Sequence, residues 1–286
     1  RGVVGGGKMK LHYLGTAAAE RVPAIFCQCR VCQYARQYGG KELRSQTQTL
    51  IDDGDLLIDF PGDSYLHLRE HQLNFNTIEH LLITHWHSDH LYAEDLAFRM
   101  SPYGNDLDNK LTVYGNAEVH RFYDRAFQLE GMTEGARIEF QELAPFECYT
   151  IGQYTVHALP AVHGKKEGDC FIYVIEREGK RLFYTHDTGF PTLDVLNYLE
   201  EHHLKLDVIS LDCTGQGLKG SGGIHMNVEE NLQLIATLKE RALCDDATIF
   251  IANHFSHNGG LTYQEMKALG DKHQLITAYD GMIIDI

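Results

Sequence analysis

No apolar run in this chain approaches the roughly 18 residues that a membrane span requires, and no repeat of about 20–50 residues, Pro/Ser-rich linker or low-complexity tract divides its 286 residues. Those absences exclude a helical membrane protein, a solenoid and a string of modules. They leave one soluble domain large enough to bury a substantial core. Positive charge is scarce, with 25 Lys and Arg against 40 Asp and Glu for a formal net charge of −15. That balance argues against nucleic acid as a broad electrostatic partner, although a local basic patch or bound cations would still attract a phosphate ester. The basic start, apolar stretch and small-residue cleavage site of a secretory signal are also missing, so the expected compartment is the cytoplasm. Residues 1–8, RGVVGGGK, read as a non-native leader ahead of Met9, and 9–286 as a single domain.

What is present is β-rich. Short apolar runs recur at 11–16, 56–59, 80–84, 111–115, 154–162, 170–176, 181–185, 207–212, 248–253 and 275–280. Helix-like stretches lie between them. In 227–242, Val228, Leu232, Ile235 and Leu238 share a face, and Asn227 with Glu230 has the spacing of a capping box, as do Thr262 and Glu265. A mixed α/β domain with sheets inside and helices outside follows. Residues 101–150 are the least regular portion and read as room for a helical insertion near a site mouth.

The chemistry is concentrated in THWHSDH, residues 84–90. His85 and His87 stand two apart and share a direction in extended backbone, while Asp89 and His90 follow where the chain turns. One short loop can therefore serve two ions. Imidazole and carboxylate suit zinc, manganese or iron, and burying four such groups without a cation would leave several polar atoms to satisfy. His163, Asp187 and His254 each follow a strand-like run as well, so strand ends converging on one edge would assemble them. Of seven cysteines, Cys27, Cys29 and Cys32 cluster as CQCRVC, and a reducing compartment makes a disulfide framework an unsuitable explanation. The other four lie in or beside apolar runs and read as small buried hydrophobes.

HxHxDH, then a His, an Asp in a D-T-G context and a final His resemble the metallo-β-lactamase superfamily. The resemblance implies an αββα sandwich, two mixed β-sheets packed face to face with helices outside and two metal ions at the strand ends. It assigns His85, His87 and His163 to one ion, Asp89, His90 and His254 to the other, and Asp187 as the bridge. An Asp at 187, with Asp89 and His90 intact, departs from the typical secreted β-lactamases, and a His at 87 departs from the flavo-diiron branch. Through CQCRVC, HFSHN and YDGM, and over nearly its full length, the chain is similar to the phosphoribosyl 1,2-cyclic phosphate phosphodiesterase family of phosphonate breakdown. That likeness implies a structural zinc on Cys27, Cys29, Cys32 and His257, a closed tetrahedral site that would hold the N-terminal loop against the HFSH loop.

The expected function is hydrolysis of a small phosphodiester, cyclic or open, by hydroxide held between two Zn or Mn ions. Asp89, Asp187 and His225 are the catalytic candidates. His225, in GGIHMNVEEN, precedes a helix N-terminus and would protonate the leaving oxygen or contact phosphate. Asp212 is a weaker candidate to orient site groups. The segments VHGKKEGDC and TGQGLKGSGG depart from the family in detail, so another phosphodiester could replace the cyclic ribosyl phosphate. Lys165, Lys166 and Lys219 either receive an anionic group or are solvated. Two alternatives stand beside this reading: a cofactor-maturation protein like protein B of pyrroloquinoline quinone biosynthesis, and a zinc-stabilised binding scaffold without turnover. An RNA-processing nuclease would bring a basic, Gly/Pro-rich arm that is not evident here. Oligomeric state is not legible, and a homodimer stays open.

Overall fold

Strand-forming residues in this chain come as runs apolar on both faces, and such runs need cover on both sides. The computed structural model, which describes residues 8–220 and 223–286, supplies it with two seven-stranded sheets. Fourteen strands make them: β1 Lys10–Gly15, β2 Gln48–Ile51, β3 Leu56–Ile58, β4 His80–Leu82, β5 Leu111–Gly115, β6 Ile138–Glu142, β7 Glu147–Ile151, β8 Tyr154–Pro160, β9 Phe171–Arg177, β10 Lys180–Thr185, β11 Val208–Asp212, β12 Ile249–Asn253, β13 Ile276–Thr277 and β14 Met282–Asp285. One sheet has the order β14-β1-β2-β3-β4-β5-β6 and the other β13-β12-β11-β10-β9-β8-β7. Each is antiparallel in one half and parallel in the other, with β3 to β6 parallel in the first and β10 to β13 parallel in the second.

Strand β9 shows how the layers are cemented. Phe171, Tyr173 and Ile175 point into the core between the sheets with Leu11, Tyr13, Ile58 and Leu82 from the facing sheet, while Ile172 and Val174 point the other way. There they meet helices α5 (Leu193–Glu201), α6 (Val228–Glu240) and α7 (Tyr263–Lys272) through Leu199, Leu234, Leu238 and Met266. On the opposite outer face, Leu57, Leu81 and Val113 pack beneath α3 (Ala93–Ala97) and α4 (Ala117–Leu129), which α1 (Arg30–Tyr38) and α2 (Ser64–Glu70) precede in the chain. The result is the expected αββα sandwich. The capping boxes at Asn227/Glu230 and Thr262/Glu265 form with both arms in place. No helix among the described residues is long and apolar enough to cross a membrane.

Residues 101–150 are more ordered than their sequence suggests: they hold α4 and three strands, β5, β6 and β7. Strands β6 and β7 are the sheet edges, with mixed, partly exposed faces that blur the alternation. The run 275–280 yields only the two-residue strand β13. Residues 1–7 of the expected leader lie outside the described residues.

Candidate metal centre

The parallel halves of both sheets end on one rim, and the ligand-type residues sit where the strands stop. Three of them adopt left-handed backbone that non-glycine residues seldom use: Asp59 after β3 (φ 66°), Asp187 after β10 (φ 53°) and His254 after β12 (φ 60°). Each such turn costs on the order of 1 kcal/mol. Held in place by buried strands, Asp187 and His254 turn their side chains to one cluster, and Asp59 reaches His90 from behind it.

Two groups meet there. In the first, His87 Nδ1 lies 2.9 Å from His85 Nε2 and 3.2 Å from His163 Nε2, and Asp187 Oδ2 is 3.1 Å from His85 Nε2. In the second, His90 Nε2 is 3.1 Å from Asp89 Oδ2 and 2.8 Å from Asp187 Oδ2, and His254 Nε2 is 3.1 Å from Asp187 Oδ1. Both groups draw on Asp187. Zinc–nitrogen bonds of about 2.0–2.1 Å in a tetrahedron would put donor atoms about 3.3 Å apart, close to the separations found here.

The remaining ring nitrogens tell which atoms are bare. His85 Nδ1 donates to Thr84 Oγ1 (3.0 Å), whose own hydroxyl donates to Asp59 Oδ2 (2.9 Å). His90 Nδ1 donates to Asp59 Oδ2 (2.6 Å), and His163 Nδ1 to the Ile224 carbonyl (3.3 Å). His254 Nδ1 donates to Thr214 Oγ1 (2.8 Å), whose hydroxyl donates to Asp212 Oδ1 (2.8 Å). In four histidines Nδ1 is thus engaged from behind and Nε2 faces inward, the orientation metal-ligating imidazoles require. His90 Nε2, His254 Nε2 and Asp187 Oδ1 are buried and make no hydrogen bond of acceptable geometry. Such a set fits cations: burial keeps His85, His87 and His163 neutral, the last lowered to about 4. Burial also opposes charge on Asp187, yet His254 and His90 hold its pKa well below the ordinary carboxylate value.

His225 lies at the edge of this centre, its Nδ1 2.9 Å from Asp212 Oδ2 and 3.2 Å from Asp187 Oδ1. Burial works against its charge, but the Asp187 carboxylate beside it and the hydrogen bond to Asp212 raise its pKa to about 10. It lines a cavity of about 540 Å³ together with Asp89, Asp187, His254 and Lys219. Asp212, buried at the end of β11, holds His225 and Thr214 together and so touches the centre from behind.

The second ligand cluster forms where expected. Cys27 Sγ and Cys29 Sγ stand 3.3 and 3.5 Å from His257 Nδ1, and Cys32 Sγ joins them. All three cysteines are free thiols. Burial disfavours ionising Cys29, but hydrogen bonds from the Cys32 backbone and His257 bring its pKa down to about 6, while burial and the neighbouring thiols push Cys32 up to about 12. Without a cation, the first thiolate prevents the next. The Ala18 N–H donates to the Phe255 carbonyl (2.9 Å), and Arg30 donates to the Gly260 carbonyl and pairs with Glu265, so the N-terminal loop does lie against the HFSH segment.

Every ligand-type residue singled out in the sequence therefore falls into one of the two assemblies. What the sequence did not reveal is the supporting set: Asp59, Thr84, Thr214 and the Ile224 carbonyl. Asp59 ends a strand-like run as Asp187 does, and that shared position was the available signal.

Comparison with known proteins agrees with this architecture. A family model described as the beta-lactamase superfamily domain matches residues 56–245. Among curated proteins, a ribonuclease Z of Listeria innocua serovar 6a is 26% identical over 175 residues, covering 60% of this chain and 51% of that protein. A ribonuclease BN of an Enterobacter species is 31% identical over 104 residues, 36% of this chain and 32% of its own. The chain spans about half the length, or less, of these curated relatives. A solved diphosphatase of the PhnP family superposes with a TM-score of 0.74 at 20% identity, covering 98% of both chains. Zinc-bound PqqB from Methylobacterium extorquens gives 0.74 at 18% identity over 97% of this chain and all of its own. With the family model covering most of the chain and the same fold in both structures, this protein belongs to the beta-lactamase superfamily, in its metallo-β-lactamase form.

Proposed function

We propose that this protein is a metal-dependent hydrolase of small phosphodiesters. The observation that carries the reading is the convergence of bare imidazole nitrogens and carboxylate oxygens on two adjacent points sharing Asp187. His85, His87 and His163 would hold one divalent cation and Asp89, His90 and His254 the other, with zinc and manganese both suited to the donor set. Such a pair supplies Lewis acidity toward a phosphoryl group and water of lowered pKa.

The chain's own residues supply the rest. Asp187 spans the two points and fixes their spacing. Asp212 accepts from His225 Nδ1, and the imidazolium that Asp187 and Asp212 favour carries a second proton, on Nε2, for the departing ester oxygen. Lys219 and the N-terminus of α6, capped by Asn227, add positive potential to the wall of a cavity in an otherwise acidic protein. A cavity of about 540 Å³ beside the centre suits a small ester. The cluster of Cys27, Cys29, Cys32 and His257 would hold a third ion as a closed structural zinc. It secures the segment carrying His254, three residues from His257.

The test is turnover of bis(p-nitrophenyl) phosphate and ribose 1,2-cyclic phosphate by protein reconstituted with zinc or manganese. Asp187→Ala should lower kcat/KM at least about a thousandfold and His225→Ala about a hundredfold, both with the fold intact. Full activity in both variants would sink the assigned roles. No turnover of any diester by the loaded wild type would direct attention to cofactor maturation.

A further inference from the structure

The space around the catalytic centre does not end at the first cavity. Ala19, His87 and Asp89 line both that cavity and a second one of about 510 Å³, which opens between the loop after β4 and helices α3 and α4. Its wall is aromatic: Trp86, between two ligand histidines, stacks on Phe122 of α4 with ring centres 5.0 Å apart and planes 22° from parallel. Cations stand over both rings. The Arg125 guanidinium is 4.6 Å from the Phe122 ring centre, and the Lys165 ammonium is 5.7 Å from that of Trp86.

These two cations make no direct ion pair among the described residues, although Lys165 helps lower the pKa of Glu118, to which neighbouring Arg121 is tied. In a chain of net charge −15, carboxylates were available to neutralise them. The cavity itself offers Glu94 and Asp89, and Asp89 faces the centre. Aromatic rings beside cations with no carboxylate in direct contact, continuous with a phosphoryl-binding centre, match a planar ring carried on a phosphate.

We propose that the second cavity receives a nucleobase, borne on one ester arm of the substrate, while the other arm lies in the first cavity. The proposal rests on the phosphodiesterase reading and narrows it to small nucleotide diesters. The diester group would sit over His87 and Asp89, where the cavities join. The chain's net charge of −15 disfavours a long polynucleotide.

Trp86 is the only tryptophan of the chain, so its fluorescence reports this cavity alone. Thymidine 5′-monophosphate added to the metal-loaded protein should quench it, and inorganic phosphate should not. Arg125→Ala, a surface change, and Phe122→Leu should each weaken that binding about tenfold. In parallel, kcat/KM for the p-nitrophenyl ester of thymidine 5′-phosphate should exceed that for methyl p-nitrophenyl phosphate by about tenfold or more, since the leaving group is the same. The ratio should fall toward one in both variants. Equal quenching by phosphate, or a substrate ratio near one that neither variant moves, would overturn the proposal. Selective quenching without turnover of either ester would support the cavity and refute the phosphodiesterase reading; turnover without quenching or selectivity would do the reverse.

Discussion

Asp59→Asn tests whether hydrogen bonds behind the ligands set their chemistry. Asp59 is fully buried and accepts from the Thr84 N–H (2.8 Å, Oδ1), the Thr84 hydroxyl (2.9 Å, Oδ2) and His90 Nδ1 (2.6 Å, Oδ2). The amide keeps the shape, and its oxygen can still accept from the Thr84 N–H and, at 3.1 Å, from the Thr84 hydroxyl, but it then presents an NH₂ to His90 Nδ1. His90 Nδ1 must become an acceptor, and its proton moves to Nε2, the atom facing Asp89 and Asp187. Thr84 can keep its hydroxyl proton on the amide oxygen, so His85 Nδ1 goes on donating to Thr84 Oγ1. Flipping the amide would instead set NH₂ against the Thr84 N–H. One isosteric change thus disturbs His90, a ligand-type residue of the second group, and second-sphere losses of this kind weaken metal binding about 10–100-fold, or about 1.4–2.7 kcal/mol. Exchanging a charged hydrogen bond for neutral ones costs the fold a further ~1–2 kcal/mol. Dialysis against graded chelator followed by elemental analysis measures the first effect, and urea melts in excess chelator measure the second. Metal retention equal to wild type at every chelator concentration would refute the tautomer argument.

Cys29→Ser should remove about one metal equivalent and lower the melting temperature while the two-ion centre stays loaded; unchanged stoichiometry by elemental analysis would contradict a structural zinc. His67 offers a pH test remote from the cysteine cluster. It is fully buried between Ser45 Oγ and Gln48 Oε1, each 2.7 Å away, and burial lowers its pKa from 6.5 to about 4. A depressed histidine stabilises the fold fully above the unfolded value of 6.5, and that contribution is lost as pH falls toward 4, because the unfolded chain takes up the proton first. Between pH 7.5 and 5.0 wild type should therefore lose about 2 kcal/mol more stability than His67→Gln in urea melts. Equal losses would show that His67 does not titrate as its burial requires.

The ligands were legible because their spacing is local or repeats a position. HxHxDH declares itself within six residues, and His163, Asp187 and His254 each stand just past an apolar run. The supporting residues were not, since Thr84 and Thr214 are ordinary hydroxyl residues whose meaning depends on partners brought by other strands. Thr214 meets His254 across 40 positions, and Asp59 meets His90 across 31. The interior strands read clearly because both faces are apolar, as in β9. Edge strands β6 and β7 did not, because IEFQE and ECYTI expose much of their surface. Helix α4 was expected only as a helical insertion without bounds, and its Phe122 and Arg125 acquired significance only when packed beside Trp86.

The most direct test of the central claim is metal content by elemental analysis after reconstitution with zinc or manganese and removal of loosely bound ions. Two ions on the histidine and aspartate groups and one on the cysteine cluster predict about three per chain, falling to about two in Cys29→Ser. One ion or none, in protein that remains folded, would contradict a centre built from His85, His87, Asp89, His90, His163, Asp187 and His254.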